Sequence, residues 1–241
     1  MSDMYGLTIN QLTFSFDQQG PPLFDGLVAT FDRNKVHFVV GKNGSGKSTL
    51  FRILRGFYTE NDRVGGLVTV NDAVINLADR VAAIKRLQCV RLVDQKFDQM
   101  FADQYNFIDN LRFARLAAMP TVAPLPVHKP LPTFLERFAI DCMVPVRLLS
   151  GGQRQILAIL MALQQPVEVL LLDEPTAALD EKNAIMLMDF IHQLAADSGI
   201  TVLIICHDQS LVDRYAAGEF HKLCHQRNSM VRQLVRHRKM A

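Results

Sequence analysis

The sequence has no hydrophobic run long enough to form a membrane-spanning helix. Its longest uninterrupted apolar stretch covers residues 156–163, whereas a helix needs roughly 20 such residues to cross a bilayer. Cysteine is scarce as well, and the 4 cysteines lack the spacing of a disulfide framework. The opening residues MSDMYGLTIN lack the basic and apolar segments of a signal peptide. Together these absences favour a location in a reducing cytoplasm.

A charge excess of either sign is also missing. Lys and Arg number 26 against 24 Asp and Glu, so the formal net charge is +2. Proteins that bind nucleic acid usually present a far more basic surface, and direct nucleic-acid binding is therefore not expected. A chain of 241 residues, 49% of them hydrophobic, is long enough to bury one sizeable core. We expect a single domain that spans residues 1–241.

Alternating strand-like and helix-like segments predict an α/β fold in which helices cover both faces of a parallel sheet. Apolar or alternating stretches predict strands at residues 7–16, 27–31, 36–40, 89–93, 167–172 and 201–206. Helical spacing predicts helices over 50–57 and 77–87, directly after Ser150, and over 181–196, where Gly199 ends the last one. Gly65 and Gly66 precede an alternating segment, which predicts a small antiparallel β insertion.

The stretch between residues 96 and 149 has a looser pattern. Prolines cluster between Pro120 and Pro132, and this disfavours a continuous helix there. We therefore predict a partly helical subdomain with an irregular middle over roughly residues 96–154. It would be inserted into a core formed by roughly residues 1–95 and 155–241.

A glycine-rich segment, GKNGSGKST, follows the predicted strand at 36–40 directly. It matches the pattern G-x-x-x-x-G-K-[ST], whose glycines let backbone N–H groups turn toward phosphate oxygens. The helix that begins there adds its positive end. Lys47 is expected to reach the β- and γ-phosphates, and the Ser48 hydroxyl to hold Mg²⁺. The alternative is a glycine-rich turn that binds no ligand. The strand before the turn and the helix after it disfavour that alternative. The expected nucleotide-binding residues of this phosphate loop are Gly41, Asn43, Gly44, Ser45, Gly46, Lys47, Ser48 and Thr49.

A second pair of glycines opens another predicted helix. Ser150 and Gln153 have the spacing of a capping box around Gly151 and Gly152. Each glycine in a helix costs roughly 1 kcal/mol relative to alanine. Two adjacent glycines therefore favour the close approach of an anion to the backbone, whereas a cap without a ligand is the alternative.

Polar side chains follow three of the predicted strands. Asp173 and Glu174 come after VEVLLL, Gln95 follows CVRLV and His207 follows TVLIIC. Parallel strands bring their carboxyl ends to one sheet edge, where α/β folds bind ligands. Because unpaired buried carboxylates are costly, a cation or substrate is expected beside Asp173 and Glu174. Solvated surface positions are the alternative for all four residues.

The combination of these motifs resembles that of the ABC ATPase family. LLSGGQRQ is similar to the family signature, and it stands between GKNGSGKST and DEPTAALD. The resemblance covers nearly the whole chain. It implies a P-loop NTPase (RecA-like) core with a small antiparallel β subdomain and an inserted helical subdomain that contains the signature. It also implies Mg²⁺-dependent hydrolysis of ATP.

The resemblance further implies roles for the residues at the strand ends. Glu174 would polarise the attacking water, and His207 would contact the γ-phosphate. Gln95 would be a ligand of Mg²⁺ and water that also senses a transmembrane partner. The implied catalytic residues are Glu174, His207, Gln95 and Lys47, and the implied metal ligands are Ser48, Gln95 and Asp173.

In this family two subunits pair head to tail, so further residues are expected to reach nucleotide. Ser150, Gly151, Gly152 and Gln153 would contact ATP held by the partner subunit, and Asp180 would lie in the loop that crosses the interface. The family also stacks adenine on an aromatic residue ahead of the phosphate loop. Phe16 fits that place, Phe14 is the alternative, and core packing is the other interpretation of either side chain.

Three weaker features leave their interpretation open. His221, Cys224 and His225 fall short of a closed tetrahedral metal site, so we expect surface or strand residues there. The basic end VRQLVRHRKMA is interpreted as a solvated tail rather than a lipid contact. Aromatic and Met residues crowd the stretch after Gln95 and favour either core packing or an interface with a membrane subunit. These are Phe97, Met100, Phe101, Tyr105 and Phe107.

The resemblance is to transporter subunits more than to soluble relatives. We expect a peripheral protein on the cytoplasmic face of the inner or plasma membrane, working with transmembrane permease subunits and with a second copy of itself or a related ATPase subunit. The subunits of importers that use a substrate-binding protein are the most similar subgroup. A soluble ABC ATPase acting on nucleic acid and an ABC ATPase for lipid or lipoprotein handling are the alternatives. Coiled-coil insertions, CxxC pairs and a second fused cassette would mark the nucleic-acid types, and the sequence contains none.

Overall fold

One mixed sheet organises the protein, as seen in a computed structural model that describes residues 4–116, 138–216, 219–225 and 232–238. The strands are β1 (Tyr5–Ser15), β2 (Phe24–Asp32), β3 (Val36–Val40), β4 (Arg63–Val70), β5 (Ala73–Asn76), β6 (Val90–Val93), β7 (Val169–Asp173), β8 (Thr201–Ile205), β9 (Glu219–His225) and β10 (Arg232–Arg238). The helices are α1 (Lys47–Leu54), α2 (Arg80–Arg86), α3 (Phe107–Arg115), α4 (Gly151–Ala162), α5 (Glu181–Ser198) and α6 (Gln209–Tyr215). No helix within these described ranges is long and apolar enough to cross a bilayer.

The sheet has a parallel part and an antiparallel part. Its strand order is β5-β4-β1-β2-β10-β9-β3-β8-β7-β6. Strands β3, β8, β7 and β6 run parallel to one another, whereas β5, β4, β1 and β2 pair antiparallel. The α/β fold with a parallel core and a small antiparallel β part is therefore confirmed.

The two central parallel strands, β7 and β8, are largely apolar because both of their faces are covered. Every residue of β7 and of β8 is buried. On one face, α4 and α5 pack over a cluster that includes Leu170 and Leu172. On the other face, α1 and strands of the antiparallel part pack over a cluster that includes Leu171 and Leu203. Successive side chains of β7 point to opposite faces of the sheet, so this one strand contributes to both hydrophobic cores.

The helix boundaries follow the capping chemistry of the sequence. The Asp180 side chain accepts from the backbone N–H of Asn183 and begins α5, and Gly199, at φ 70°, ends it in the left-handed conformation. Ser150 begins α4 with the predicted capping box, in which its hydroxyl accepts from Gln153 N and its own N–H donates to the Gln153 side chain. Both helices therefore start at the residues where the sequence predicted them.

The basic C-terminal stretch is not a solvated tail over Arg232–Arg238, as the sequence analysis predicted, but strand β10 between β2 and β9. Leu234 is buried in the core, and Arg236 donates to the carboxylates of Asp32 and Glu219. The charge of Arg236 is therefore paired within the sheet. His221, which the sequence suggested as a strand residue, lies in β9 and packs against Phe31 at 4.4 Å between ring centroids.

Only parts of the predicted helical insertion lie within the described residues. Helix α3 begins at the Asn106 cap and packs against α4, and the buried side chain of Asn110 bonds the backbone of Ala102 and Asn106. The proline cluster predicted to be irregular lies outside the described residues, as does the side chain of His225.

The aromatic stretch after Gln95 divides between the two interpretations. Phe97 and Phe107 are buried in the core, and Phe101 is partly buried against it. Met100 and Tyr105 are exposed, at 40% and 52% of their surface. The stretch therefore supplies both core packing and exposed apolar surface.

Candidate functional site

The phosphate loop connects β3 to α1, as predicted. Gly46 adopts φ 97° at the start of α1, a conformation that favours glycine. Lys47 is the first residue of the helix and is buried, and its Nζ donates to the backbone carbonyls of Gly41 at 2.9 Å and Lys42 at 3.2 Å. The ammonium group is thus folded back over the loop and ready to exchange these carbonyls for stronger acceptors.

Ser45 in the same loop has an unsatisfied hydroxyl. Its side chain is 6% exposed, and its Oγ has no hydrogen-bond partner among the described residues. Buried polar atoms without partners are rare, and each one calls for an explanation. A ligand oxygen at the loop would supply the missing partner.

The carboxyl ends of three parallel strands meet next to this loop. Asp173 is the last residue of β7 and is buried, and the Ser48 hydroxyl lies close to its carboxylate. Glu174 follows it, with Gln95 Nε2 donating to Glu174 Oε2 at 3.3 Å and His207 Nε2 lying 3.1 Å from Glu174 Oε1. The structure therefore brings together the residues that were predicted at the ends of three separate strands.

The backbone of Glu174 adopts an unusual conformation. Its φ is 54°, in the left-handed region that residues with a Cβ rarely adopt. Its N–H donates to the carbonyl of Ile205 at 3.0 Å, and its carbonyl accepts from Ala177. Such local strain is typical of functional sites, because the surrounding structure must stabilise it.

Burial and neighbouring charges both shift pKa values in this cluster. Burial raises the pKa of Asp173, and the neighbouring carboxylates of Asp94 and Glu174 add to the effect, while Lys47 and the bond from Ser48 act against it. Burial also lowers the pKa of Lys47, although Glu174 and Asp173 act against that shift. The site thus gathers negative charge that a cation would stabilise.

The glycines at the start of α4 have a packing role that the sequence did not show. A Cβ added at Gly152 would collide with the side chain of Leu179, and one at Gly151 would lie 3.8 Å from the Cβ of Ala178. This close approach places the α4 start against the loop that ends at Asp180. Gln153 also bonds the carbonyls of Phe138 and Ala139.

The two candidate aromatic residues separate clearly. Phe14 is buried in the core at 2% exposure, whereas Phe16 is 63% exposed and stands edge-on to Phe14 at 5.0 Å between centroids. Only Phe16 has a free face.

Two charged neighbours of the loop were not predicted from the sequence: Asp94 beside Asp173 and Arg232 beside Gly46. Arg232 follows Gly46 by so many residues that no local pattern could have revealed it.

The family described as ABC transporter matches residues 24–177. An achromobactin transport ATP-binding protein of Dickeya dadantii is 30% identical over 88% of this chain and 77% of its own length. A methionine import ATP-binding protein of Caulobacter vibrioides is 30% identical over 86% of this chain and 61% of its own. A phosphonates import ATP-binding protein of Ruegeria is 29% identical over 87% of this chain and 82% of its own.

The lengths of the relatives differ from that of this chain. The chain spans 34% of an ABC transporter ATP-binding protein of onion yellows phytoplasma and 18% of a multidrug transporter of Aspergillus fumigatus. The same cassette thus occurs alone and as part of longer proteins.

Solved structures show the same fold. The cbiO1 subunit of the cbiONQ transporter complex from Clostridium perfringens superposes with a TM-score of 0.74, at 24% identity over 98% of this chain and 89% of its own. A dimeric ATP-binding cassette bound to ADP and Pi has a TM-score of 0.71, at 19% identity over 98% and 99%. With the family match over more than half of its residues, the chain belongs to the ABC transporter family, as one of its ATP-binding cassettes.

Proposed function

We propose that this chain hydrolyses ATP to power a membrane transporter, and that ATP-driven dimerisation couples hydrolysis to transport. One observation carries the catalytic part: Gln95 and His207 converge on Glu174, directly beyond the buried carboxylate of Asp173. Relatives that serve methionine import and phosphonate import favour the import direction.

The phosphate loop is the proposed binding place of the β- and γ-phosphates. Ser45 has a buried hydroxyl that lacks a partner among the described residues, and the Lys47 ammonium donates to neutral backbone carbonyls of the loop. Phosphate oxygens would satisfy both groups and would also accept from the backbone N–H groups at the α1 start. The proposed cradle is formed by Gly41, Asn43, Gly44, Ser45, Gly46, Lys47, Ser48 and Thr49.

The side chains next to the loop fit Mg²⁺. Ser48, Gln95 and Asp173 would hold it, since hydroxyl, amide and carboxylate oxygens are the ligands that this cation prefers. Burial, together with the neighbouring carboxylates of Asp94 and Glu174, raises the pKa of Asp173, and a divalent cation would offset this crowding of negative charge. When bound, Mg²⁺ would supply positive charge that neutralises the negative charge developing on the phosphates during hydrolysis.

Glu174 is the proposed activator of the attacking water. Its two carboxylate oxygens lie near Gln95 and His207, so the side chain is fixed in orientation before substrate arrives. Gln95 would help to place the water, and His207 would contact the γ-phosphate. Water then attacks the γ-phosphorus while Glu174 accepts its proton, and the bond from the γ-phosphorus to the β,γ-bridging oxygen breaks to release ADP.

Phe16 is the proposed stacking partner of adenine, because its ring is exposed while Phe14 is in the core. We expect Phe16→Ala to weaken ATP binding about tenfold, the effect of losing one base–aromatic stack. Phe16→Tyr should retain affinity. The measurement is ATP titration by fluorescence or calorimetry, with Phe57→Ala as the control for loss of an exposed phenylalanine. Unchanged affinity in Phe16→Ala would assign adenine to another surface.

Two copies, or this chain and a related ATPase subunit, would form the working dimer. Ser150 and Asp180 are both exposed in the single chain and lie at the starts of α4 and α5, which approach each other through Gly152 and Leu179. Gly151, Gly152 and Gln153 complete the α4 start. In the proposed arrangement this surface closes over ATP on the partner's phosphate loop.

A groove beside Gln95 is the proposed contact with the transmembrane permease subunit, which would hold the chain on the cytoplasmic face of the membrane. The groove has a volume of 830 Å³ and presents exposed apolar side chains, with Phe57 at 57% and Met100 at 40%. Exposed apolar groups that line one concave surface are typical of protein interfaces. Ser48, Asp173 and Gln95 also line it, so a partner seated there would adjoin the catalytic cluster. A substrate-binding protein would complete an importer of this type.

Affinity purification from membranes tests the transport assignment. We expect a tagged chain to retain a multi-spanning membrane protein, and Phe57→Glu to lose it because the substitution removes an exposed apolar ring from the groove. Val81→Glu is the matched control, since Val81 is exposed at 82% on α2, and it should retain the partner. ATP hydrolysis by the isolated Phe57→Glu protein should persist. If wild type retains no membrane protein, the transporter assignment is wrong.

A further inference from the structure

Arg232 is held beside the phosphate loop although it lies far from it in sequence. It is the first residue of β10, pairs with Phe24 of β2 and donates its N–H to the carbonyl of Leu23 at 3.3 Å. A Cβ added at Gly46 would lie 3.3 Å from Arg232 Nη1. The backbone pairing of β10 thus fixes a guanidinium group against the residue that starts α1.

This position is electrostatically unfavourable in the chain alone. The start of α1 carries the positive end of the helix dipole, and cations are disfavoured there. Lys47, the next residue, adds a second positive charge nearby. Arg232 Nε is also buried and has no hydrogen-bond partner among the residues that the structure describes. A group with this charge and this unsatisfied donor is stabilised by an anion.

Contacts connect Arg232 to both ends of the proposed nucleotide site. Its backbone partner Leu23 donates to the carbonyl of Phe14 at 2.7 Å, and the ring of Phe14 contacts that of Phe16. The guanidinium group itself lies next to Gly46 of the phosphate loop. A nucleotide that stacks on Phe16 and reaches the loop would therefore bring its ribose and first phosphate close to Arg232.

We propose that Arg232 binds the nucleotide at the phosphate nearest the ribose. This inference rests on the proposed nucleotide site. ATP and ADP both contain that phosphate, so Arg232 binds both nucleotides and does not select between them. The γ-phosphate is the phosphate farthest from the ribose, and it lies near Lys47 and Glu174. Arg232 therefore acts on affinity, while the hydrolytic step stays with the strand-end cluster.

The test compares ADP with adenosine, which lacks every phosphate. Arg232→Gln should weaken ADP binding about tenfold, the loss of one charge-assisted hydrogen bond, and leave adenosine binding, followed by NMR shifts, within about twofold. In hydrolysis assays KM for ATP should rise while kcat stays near wild type. Lys85→Gln removes a charge at an exposed position of α2 and should change neither ligand.

Each alternative outcome is distinct. Equal weakening of ADP and adenosine would show that Arg232 only supports the fold of the site, and unchanged ADP affinity would show no contact; either overturns the inference. If wild type itself binds no ADP, the proposed nucleotide site fails instead. If Arg232→Gln does not fold, Arg232→Lys replaces it. We then expect a loss of about threefold for ADP alone, because lysine keeps the charge but not the planar fork; no loss overturns the inference.

Discussion

Replacing Lys47 with alanine should lower ATP hydrolysis about a hundredfold or more, the usual effect of removing a preorganised electrostatic contact to a reacting group. The structure explains the size of this effect. Lys47 is buried at the start of α1, and its Nζ donates to the carbonyls of Gly41 and Lys42. These bonds hold the side chain over the loop, where its ammonium group could bind the β- and γ-phosphates of ATP.

The matched control is a second lysine in the same loop. Lys42 is exposed, and its backbone carbonyl is unaffected by a change of its side chain. Lys42→Ala should therefore retain most of the activity, which separates a specific role of Lys47 from a general loss of positive charge. Phosphate release should be measured at high protein concentration and with the membrane partner. A wild-type protein no more active than Lys47→Ala under those conditions would contradict the assignment of ATP hydrolysis.

Local sequence patterns predicted the elements that position the site. The continuous apolar character of β7 and β8 identified buried parallel strands, and the polar residues that follow such strands meet at one sheet edge for topological reasons. This is why Asp173 and His207 could be selected before their distances were known. The capping box of Ser150 was equally informative, since α4 begins at the predicted residue, and helical spacing predicted the start of α5 at Glu181.

Features that depend on distant pairing could not be predicted. Strand β10 lies between β2 and β9, and its charged residues resemble a solvated tail until Asp32 and Glu219 are seen beside Arg236. The same pairing brings Arg232 to the phosphate loop. The positive φ of Glu174 was not predictable either, because glutamate has no preference for that conformation. The packing reason for Gly152 likewise required the position of Leu179.

Glu174→Gln should produce a stable ATP-bound dimer. The amide preserves the shape of the side chain but accepts protons poorly, so hydrolysis should fall roughly a hundredfold to ten-thousandfold. The neighbours Gln95 and His207, and the backbone bond to Ile205, remain available to hold position 174. ATP should then accumulate unhydrolysed between two subunits. Gel filtration with and without ATP would measure the dimer fraction.

Adding Ser150→Arg to Glu174→Gln should abolish that dimer while leaving ATP binding to the monomer nearly intact. Ser150 is exposed at the start of α4, so a bulky cation there obstructs the surface that closes over the partner's nucleotide. The change also removes the α4 cap, a loss of about 1 kcal/mol, and a thermal melt should therefore accompany the assay. Gln88→Arg, at an exposed turn before β6, adds the same charge as a control.

The pair of measurements separates nucleotide binding from subunit pairing. A Glu174→Gln protein that dimerises with ATP, and a double variant that binds ATP as a monomer, would place the start of α4 in the dimer interface. If Ser150→Arg leaves the dimer intact, the two subunits associate through another surface. If Glu174→Gln binds ATP but stays monomeric at high concentration, a homodimer is excluded, and the second phosphate-facing helix start must serve a related ATPase subunit. Co-expression with a candidate second subunit would then restore an ATP-dependent dimer, because each chain would supply one phosphate loop and one α4 start.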